Sequence, residues 1–208
     1  MKGLVLFLML AFSMALAESL PYTHDGFFLN LSLGFGGQSA EYEGNGFLNN
    51  SSVSAEGDAS GMTFEFDWKI GGRILPFTLF HATVIQVHSL DGFELEAKSN
   101  ARNASVEGSE YMGLIGAGIT YYLPPYNFFF TGSLGFARFI ISDLDQLNGD
   151  YGTDFGFGLQ LGVGKEWWVS ENWGLGVMAT IVYGSADDGD YGEFSTLAFN
   201  IMISTTFN

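Results

Sequence analysis

The stretch "MTFEFDWKIGGRI", Met62 to Ile74, sets Met62, Phe64, Phe66, Trp68, Ile70 and Ile74 against Thr63, Glu65, Asp67, Lys69 and Arg73 in strict alternation. Successive side chains of a β-strand point to opposite faces, so one face here is apolar and the other carries both signs of charge. A soluble sandwich would bury the apolar row and wet the charged one. A barrel in a bilayer does the reverse, turning the apolar row to lipid and enclosing the polar one. One strand leaves both readings open, and the rest of the chain decides.

Seven further segments alternate in the same way: Phe27 to Gly36, Thr78 to His88, about Tyr111 to Leu123, Phe128 to Phe139, "DFGFGLQLGVG" from Asp154 to Gly164, Trp173 to Tyr183, and Phe194 to Phe207. The phase of the segment 78–88 is not defined by its residues. The connections alternate in length. Long polar stretches at 37–61, 89–110, 140–153 and 184–193 follow the odd-numbered strands, and short ones at 75–77, 124–127 and 170–172 follow the even-numbered ones. This order predicts an all-β fold: an eight-stranded antiparallel up-and-down transmembrane β-barrel with four long extracellular loops and three short periplasmic turns.

Composition agrees. The 208 residues include 29 Gly, 21 Phe and 9 Tyr with only 14% charged residues, which suits strands and turns better than helices. Lys2 followed by "GLVLFLMLAFSMALA" has the charged start, apolar middle and small-residue end of a secretory signal peptide, read as residues 1–17. The run is shorter than the roughly 20 apolar residues that a spanning helix needs. The expected mature chain, 18–208, is then a single barrel domain exported to the bacterial outer membrane. The formal charge of -16 argues against nucleic acid as a partner.

With the apolar rows facing lipid, the interior collects Asn30, Ser32, Glu65, Asp67, Lys69, Arg73, Gln160, Asn200 and many glycines. An eight-stranded barrel is just wide enough for side chains to fill it, and buried charges must pair or cost several kcal/mol each. An interior ionic network of Glu65, Asp67, Lys69, Arg73 and Glu166 is therefore expected. The second and sixth strands stand opposite each other, so Arg73 should meet Glu166 near the periplasmic end. Lys69 with Asp67 or Glu65 is the competing arrangement. Trp167, Trp168 and Trp173 beside one short turn, and Tyr121, Tyr122, Tyr126 and Phe128 beside another, suit an interfacial aromatic belt.

On this architecture and on the final strand "LAFNIMISTTFN", Leu197 to Asn208, essentially the whole of 18–208 resembles the small bacterial outer-membrane barrels of the outer-membrane protein A/X type. The resemblance implies a C-terminal signal for the barrel-assembly machinery, carried here by Phe199, Ile201, Ile203 and Phe207. Such proteins end on an aromatic residue, whereas Phe207 is penultimate.

Barrels of this size also include lipid A-modifying enzymes, which directs attention to His88-Ser89 with Asp91 and Glu94. Adjacent strand residues point to opposite faces, so these do not read as a triad, and the chain is expected to be no enzyme and to need no cofactor. There is no Cys. Most acids fall in the long loops. Asp143, Asp145, Asp150, Asp187, Asp188 and Asp190 are candidate ligands for a divalent cation that would tie the loops to lipopolysaccharide. The function expected is outer-membrane structure or surface interaction. The partners are outer-membrane lipid and lipopolysaccharide, the assembly machinery and an unidentified extracellular molecule; a narrow solute or ion channel and a lipid A-modifying enzyme are the alternatives.

Overall fold

The computed structural model describes residues 22–48, 51–91, 93–99, 103–142, 151–189 and 192–208. Its strands are β1 (Phe27–Leu48), β2 (Ser51–Leu75), β3 (Thr78–Ser89), β4 (Phe93–Ser99), β5 (Asn103–Leu123), β6 (Phe128–Ser142), β7 (Tyr151–Gly152), β8 (Gly156–Trp168), β9 (Trp173–Asp188) and β10 (Gly192–Phe207). Antiparallel pairing runs β1–β2–β3–β5–β6–β8–β9–β10 and closes from β10 back to β1, from Leu29↔Phe207 to Gly44↔Gly192. The ten segments thus occupy eight barrel positions. β4 continues the position of β3, and β7 adds a short piece beside β6.

Closure leaves no edge in the spanning region, as a bilayer requires. The outward rows are apolar and bare: Ile115 is 62% exposed, Leu134 62% and Phe136 69%. A continuous apolar band of this size is incompatible with water and matches hydrocarbon. The inward rows are closed. Asn30, Glu65, Asp67, Gln160, Thr180 and Asn200 are all buried. β3 takes the phase that places Leu79, His81, Thr83, Ile85 and Val87 inside. Its phase was illegible because polar residues occupy both faces, His81 and Thr83 within, Gln86 and His88 without.

The short turns lie where the sequence puts them. Phe77 and Asn127 adopt positive φ in two of them, and each turn is tied to the neighbouring strand, with Tyr122 N–H donating to Phe77 O at 2.9 Å and Glu166 N–H to Asn127 O at 3.0 Å.

The extracellular side departs from the expected long loops. The stretches 37–61, 89–110 and 184–193 are mostly strand: β1 and β2 stay paired to Leu48↔Ser51, β4 and β5 to Lys98↔Asn103, and β10 and β9 to Gly192↔Asp188. Residues 143–150 of the stretch 140–153 lie outside the described residues. Above the bilayer both faces of a strand can meet water, so the period-two apolar signal fades while the hydrogen-bond ladder continues. In the third barrel position β3 ends at Ser89 and β4 begins at Phe93. There Leu90 N–H donates to Met62 O at 2.9 Å, and Met62 N–H donates to Asp91 Oδ2 at 2.5 Å. The Asp91 carboxylate thus replaces a missing ladder acceptor. Gly61 makes room for it, because a Cβ there would collide with that carboxylate.

Candidate functional site

Along each of several strands the inward residues pass from apolar to polar and back to apolar. β3 runs Val87, Ile85, then Thr83, His81, then Leu79. β9 runs Val182, Thr180, Met178, and β10 runs Ala198, Asn200, Met202. The interior is consequently layered. An apolar cluster including Ile85, Met112, Leu114, Phe139, Val182 and Phe194 fills the extracellular half. A second one, Phe28, Leu79, Tyr122, Phe129, Met178 and Met202, lies toward the short turns.

The polar layer between them holds the charges. Gln160 on β8 reaches across the lumen and donates through Nε2 to Glu65 Oε1 at 2.8 Å and to Asp67 Oδ2 at 3.0 Å. Its Oε1 accepts from Lys69 Nζ at 3.1 Å, and Lys69 also pairs with Asp67. Thr180 Oγ1 donates to Glu65 Oε2 at 2.7 Å. Nearby, Thr63 Oγ1 donates to Asn200 Oδ1 at 2.6 Å, and Thr120 Oγ1 donates to Thr131 Oγ1 at 2.9 Å. Thr120 Oγ1 also lies 3.1 Å from His81 Nε2. Gly118 is required beside it, because a Cβ would stand 2.6 Å from Ser133 Oγ and 2.7 Å from His81 Cε1.

The structure brings Glu65, Asp67 and Lys69 together and leaves Arg73 and Glu166 out. Arg73 is exposed at the rim, where the β2–β3 register shifts between Arg73 and Leu75. Glu166 is buried and accepts from Tyr122 Oη at 3.0 Å. The expected Arg73–Glu166 pair is therefore corrected. Water at the rim solvates the guanidinium, and a phenol supplies the donor to Glu166 without bringing in a second charge. The expected contact between the second and sixth barrel positions does exist, but Gln160 makes it.

The periplasmic mouth is capped by the segment before β1. Tyr22 N–H donates to Glu171 O at 2.9 Å, and buried His24 stacks on Tyr122 with ring centroids 3.4 Å apart. Burial lowers the His24 imidazole to about 4, so this ring is neutral near pH 7. Two apolar clusters and this cap thus lie in series along the lumen of the described residues. The expected result in planar bilayers is an absence of single-channel steps above the bare membrane; steady openings would contradict the seal.

On the extracellular sheet, backbone register aligns acids across strands. Asp187 stands opposite Glu193, Glu193 opposite Glu43, and Glu43 opposite Glu56; Glu41 stands opposite Asp58. All six are exposed. Register extends the rows to Glu96 and Glu94 on β4 and Glu107 on β5. Of the candidate cation ligands, Asp187 belongs to this face, whereas Asp188 is buried and accepts from Tyr42 Oη at 2.9 Å. Asp143, Asp145, Asp150 and Asp190 lie outside the described residues. Among the described residues no group of three acidic or histidine side chains is gathered as a metal site.

His88 faces outward between Phe64 and Tyr111, while Asp91 is engaged with Met62. Phe199, Ile201 and Ile203 lie on the bare outer face of β10, and Phe207 packs edge-on against Trp173 at 5.3 Å.

No protein-family model matches the chain, and no curated protein matches it in sequence. Among solved structures it is similar to Neisserial surface protein A, at 14% identity and a TM-score of 0.53, covering 86% of this chain and 95% of that one. This likeness shows a shared small-barrel fold. The attachment invasion locus protein Ail of Yersinia pestis, crystallised with a heparin analogue, aligns at 15% identity over 86% of this chain and 98% of its own, with a TM-score of 0.44. The outer membrane protease OmpT of Escherichia coli aligns at 12% identity over 91% and 99%, with a TM-score of 0.46.

Proposed function

We propose that this chain is a bacterial outer-membrane surface protein, exported by the signal peptide at 1–17, whose acidic extracellular sheet rather than its lumen engages a partner. The observation that carries this reading is the run of directly opposed carboxylates at Glu41–Asp58, Glu43–Glu56, Glu43–Glu193 and Glu193–Asp187. Like charges placed opposite each other on a sheet are destabilising. Solubility would be served equally by acids spread apart. Concentrating them on one face makes a field that steers and holds a cationic surface.

This reading assigns the barrel no catalytic step: His88 faces outward and the Asp91 carboxylate is engaged by Met62 N–H. A second reading has divalent cations bridging the same carboxylates to lipopolysaccharide phosphates. The test compares the protein in lipid nanodiscs with a variant carrying Glu41→Gln, Glu43→Gln, Glu56→Gln and Asp58→Asn, using a lysine-rich peptide as the probe. The wild type should bind it in a salt-dependent manner and the variant at least about tenfold more weakly, a difference of about 1.4 kcal/mol. Equal binding by the two would refute the reading. Calcium-dependent capture of lipopolysaccharide by the wild type alone, without peptide binding, would favour the cation bridge instead.

A further inference from the structure

We infer that the segment from Tyr22 to Gly26 is an acid-released cap, held on the periplasmic mouth by the neutral His24 ring and freed when that ring takes up a proton. The backbone of the segment is fixed near its two ends. Tyr22 N–H donates to Glu171 O at 2.9 Å, and Gly26 O accepts from Arg73 N–H at 3.2 Å. Midway between them His24 is the one buried residue of the five. Its ring lies nearly parallel on Tyr122, with centroids 3.4 Å apart and planes at 14°, and Trp168 adjoins it at 4.8 Å. The side chains of Asn127 and Asn208 flank it. Asn208, the residue beyond the aromatic Phe207, is itself buried and donates its N–H to Asn172 O at 3.0 Å. Both ends of the barrel domain thus meet at this one imidazole.

The groups packed around the ring set the direction of the response. Asp25 on its own segment and the side chains of Asn127 and Asn208 favour the imidazolium, but burial outweighs them and holds the ring at about 4. On β8, Glu166 accepts from Tyr122 Oη at 3.0 Å. Glu171 and Arg73 meet the segment through backbone atoms. In water the released ring returns to its ordinary 6.5. Above that value both forms are neutral, and pH does not favour either. As pH falls from 6.5 towards 4 the released form takes up a proton that the seated one refuses, so the balance moves toward release. Below both values the shift approaches about 300-fold. Release bares the ring face of Tyr122 and the side chain of Asn208, which are buried in the capped mouth.

Hydrogen exchange at the Tyr22 amide reads the ratio of seated to released cap. It is followed by NMR on the folded protein in micelles and corrected for the intrinsic pH dependence of exchange. Between pH 7.5 and 3.5 protection should fall at least about a hundredfold. His24→Phe keeps a ring in the seat without a titrating nitrogen, and its protection should stay constant over the same range. Wild-type protection that persists to pH 3.5 would overturn the inference, since the faces of Tyr122 and Trp168 would then be holding the imidazolium in place. An equal fall in His24→Phe would overturn it too, by assigning release to the carboxylates. Should His24→Phe fail to fold, the wild-type His24 ring protons replace it. Their stacking shift on Tyr122 should vanish in step with proton uptake, and a stacking shift that survives proton uptake overturns the inference.

Discussion

Replacing Lys69 with methionine is expected to destabilise the barrel by about 3 to 5 kcal/mol, the usual cost of leaving a buried charge without its partner. Lys69 is 2% exposed, and Glu65 and Asp67 are 0% exposed. Within this layer Lys69 is the cation that offsets them, donating to Asp67 and to Gln160. Gln160 can donate its two N–H groups to the carboxylates but brings no charge. With methionine at 69 the layer holds two acids at close quarters, and at least one must take up a proton or admit water. The loss should therefore shrink in Lys69→Met combined with Asp67→Asn. Urea unfolding in lipid vesicles, run as a double-mutant cycle, reads the coupling between the two positions. Simple additivity would mean that the pair contributes nothing beyond its separate members.

Leu161→Arg is expected to cost about 2 to 4 kcal/mol, the penalty for a cation on the lipid face near the bilayer midplane. Leu161 sits on the outer face of β8, 52% exposed, between Leu159 and Val163. In a water-soluble protein the same substitution at such an exposed site would be nearly neutral. The contrast is sharpest with Glu43→Lys on the extracellular sheet. Glu43 faces Glu56 and Glu193, so reversing its sign turns two repulsive cross-strand pairs into attractive ones. A gain of about 0.2 to 1 kcal/mol per pair follows. Opposite signs from two exposed sites, read by the same urea titration, separate lipid-facing from water-facing surface.

The barrel was legible because its two faces differ wherever a strand crosses the bilayer. "FGFGLQLGV" displays that difference without interruption, and its odd residues are the bare ones in the structure. The tall hairpins were not legible. "AEYEGNG" on β1 and its partner "SAEGDAS" on β2 carry few apolar residues on either face, so they read as loops although they are paired throughout. The interior layering carried a signal that was available, since the inward positions of β9 and β10 change from Val and Ala to Thr and Asn and then to Met. Reading it demanded that residues distant in sequence be set at one height, which strand alternation alone does not supply. The Arg73–Glu166 pairing failed for a related reason. Phase and opposite position were read correctly for both strands, but the register shift after Arg73 and the capture of Glu166 by Tyr122 are tertiary features that no local pattern encodes.

The odd residues of β8 and β9 face lipid while the even ones turn into the lumen. The chain contains no Cys, so single-cysteine variants at Gln160, Leu161, Val163, Thr180 and Ile181 can each be challenged in intact vesicles with a thiol reagent dissolved in the bilayer. Modification at 161, 163 and 181 with protection at 160 and 180 is the expected result. Modification of 160 and 180 instead, or of all five positions alike, would contradict it.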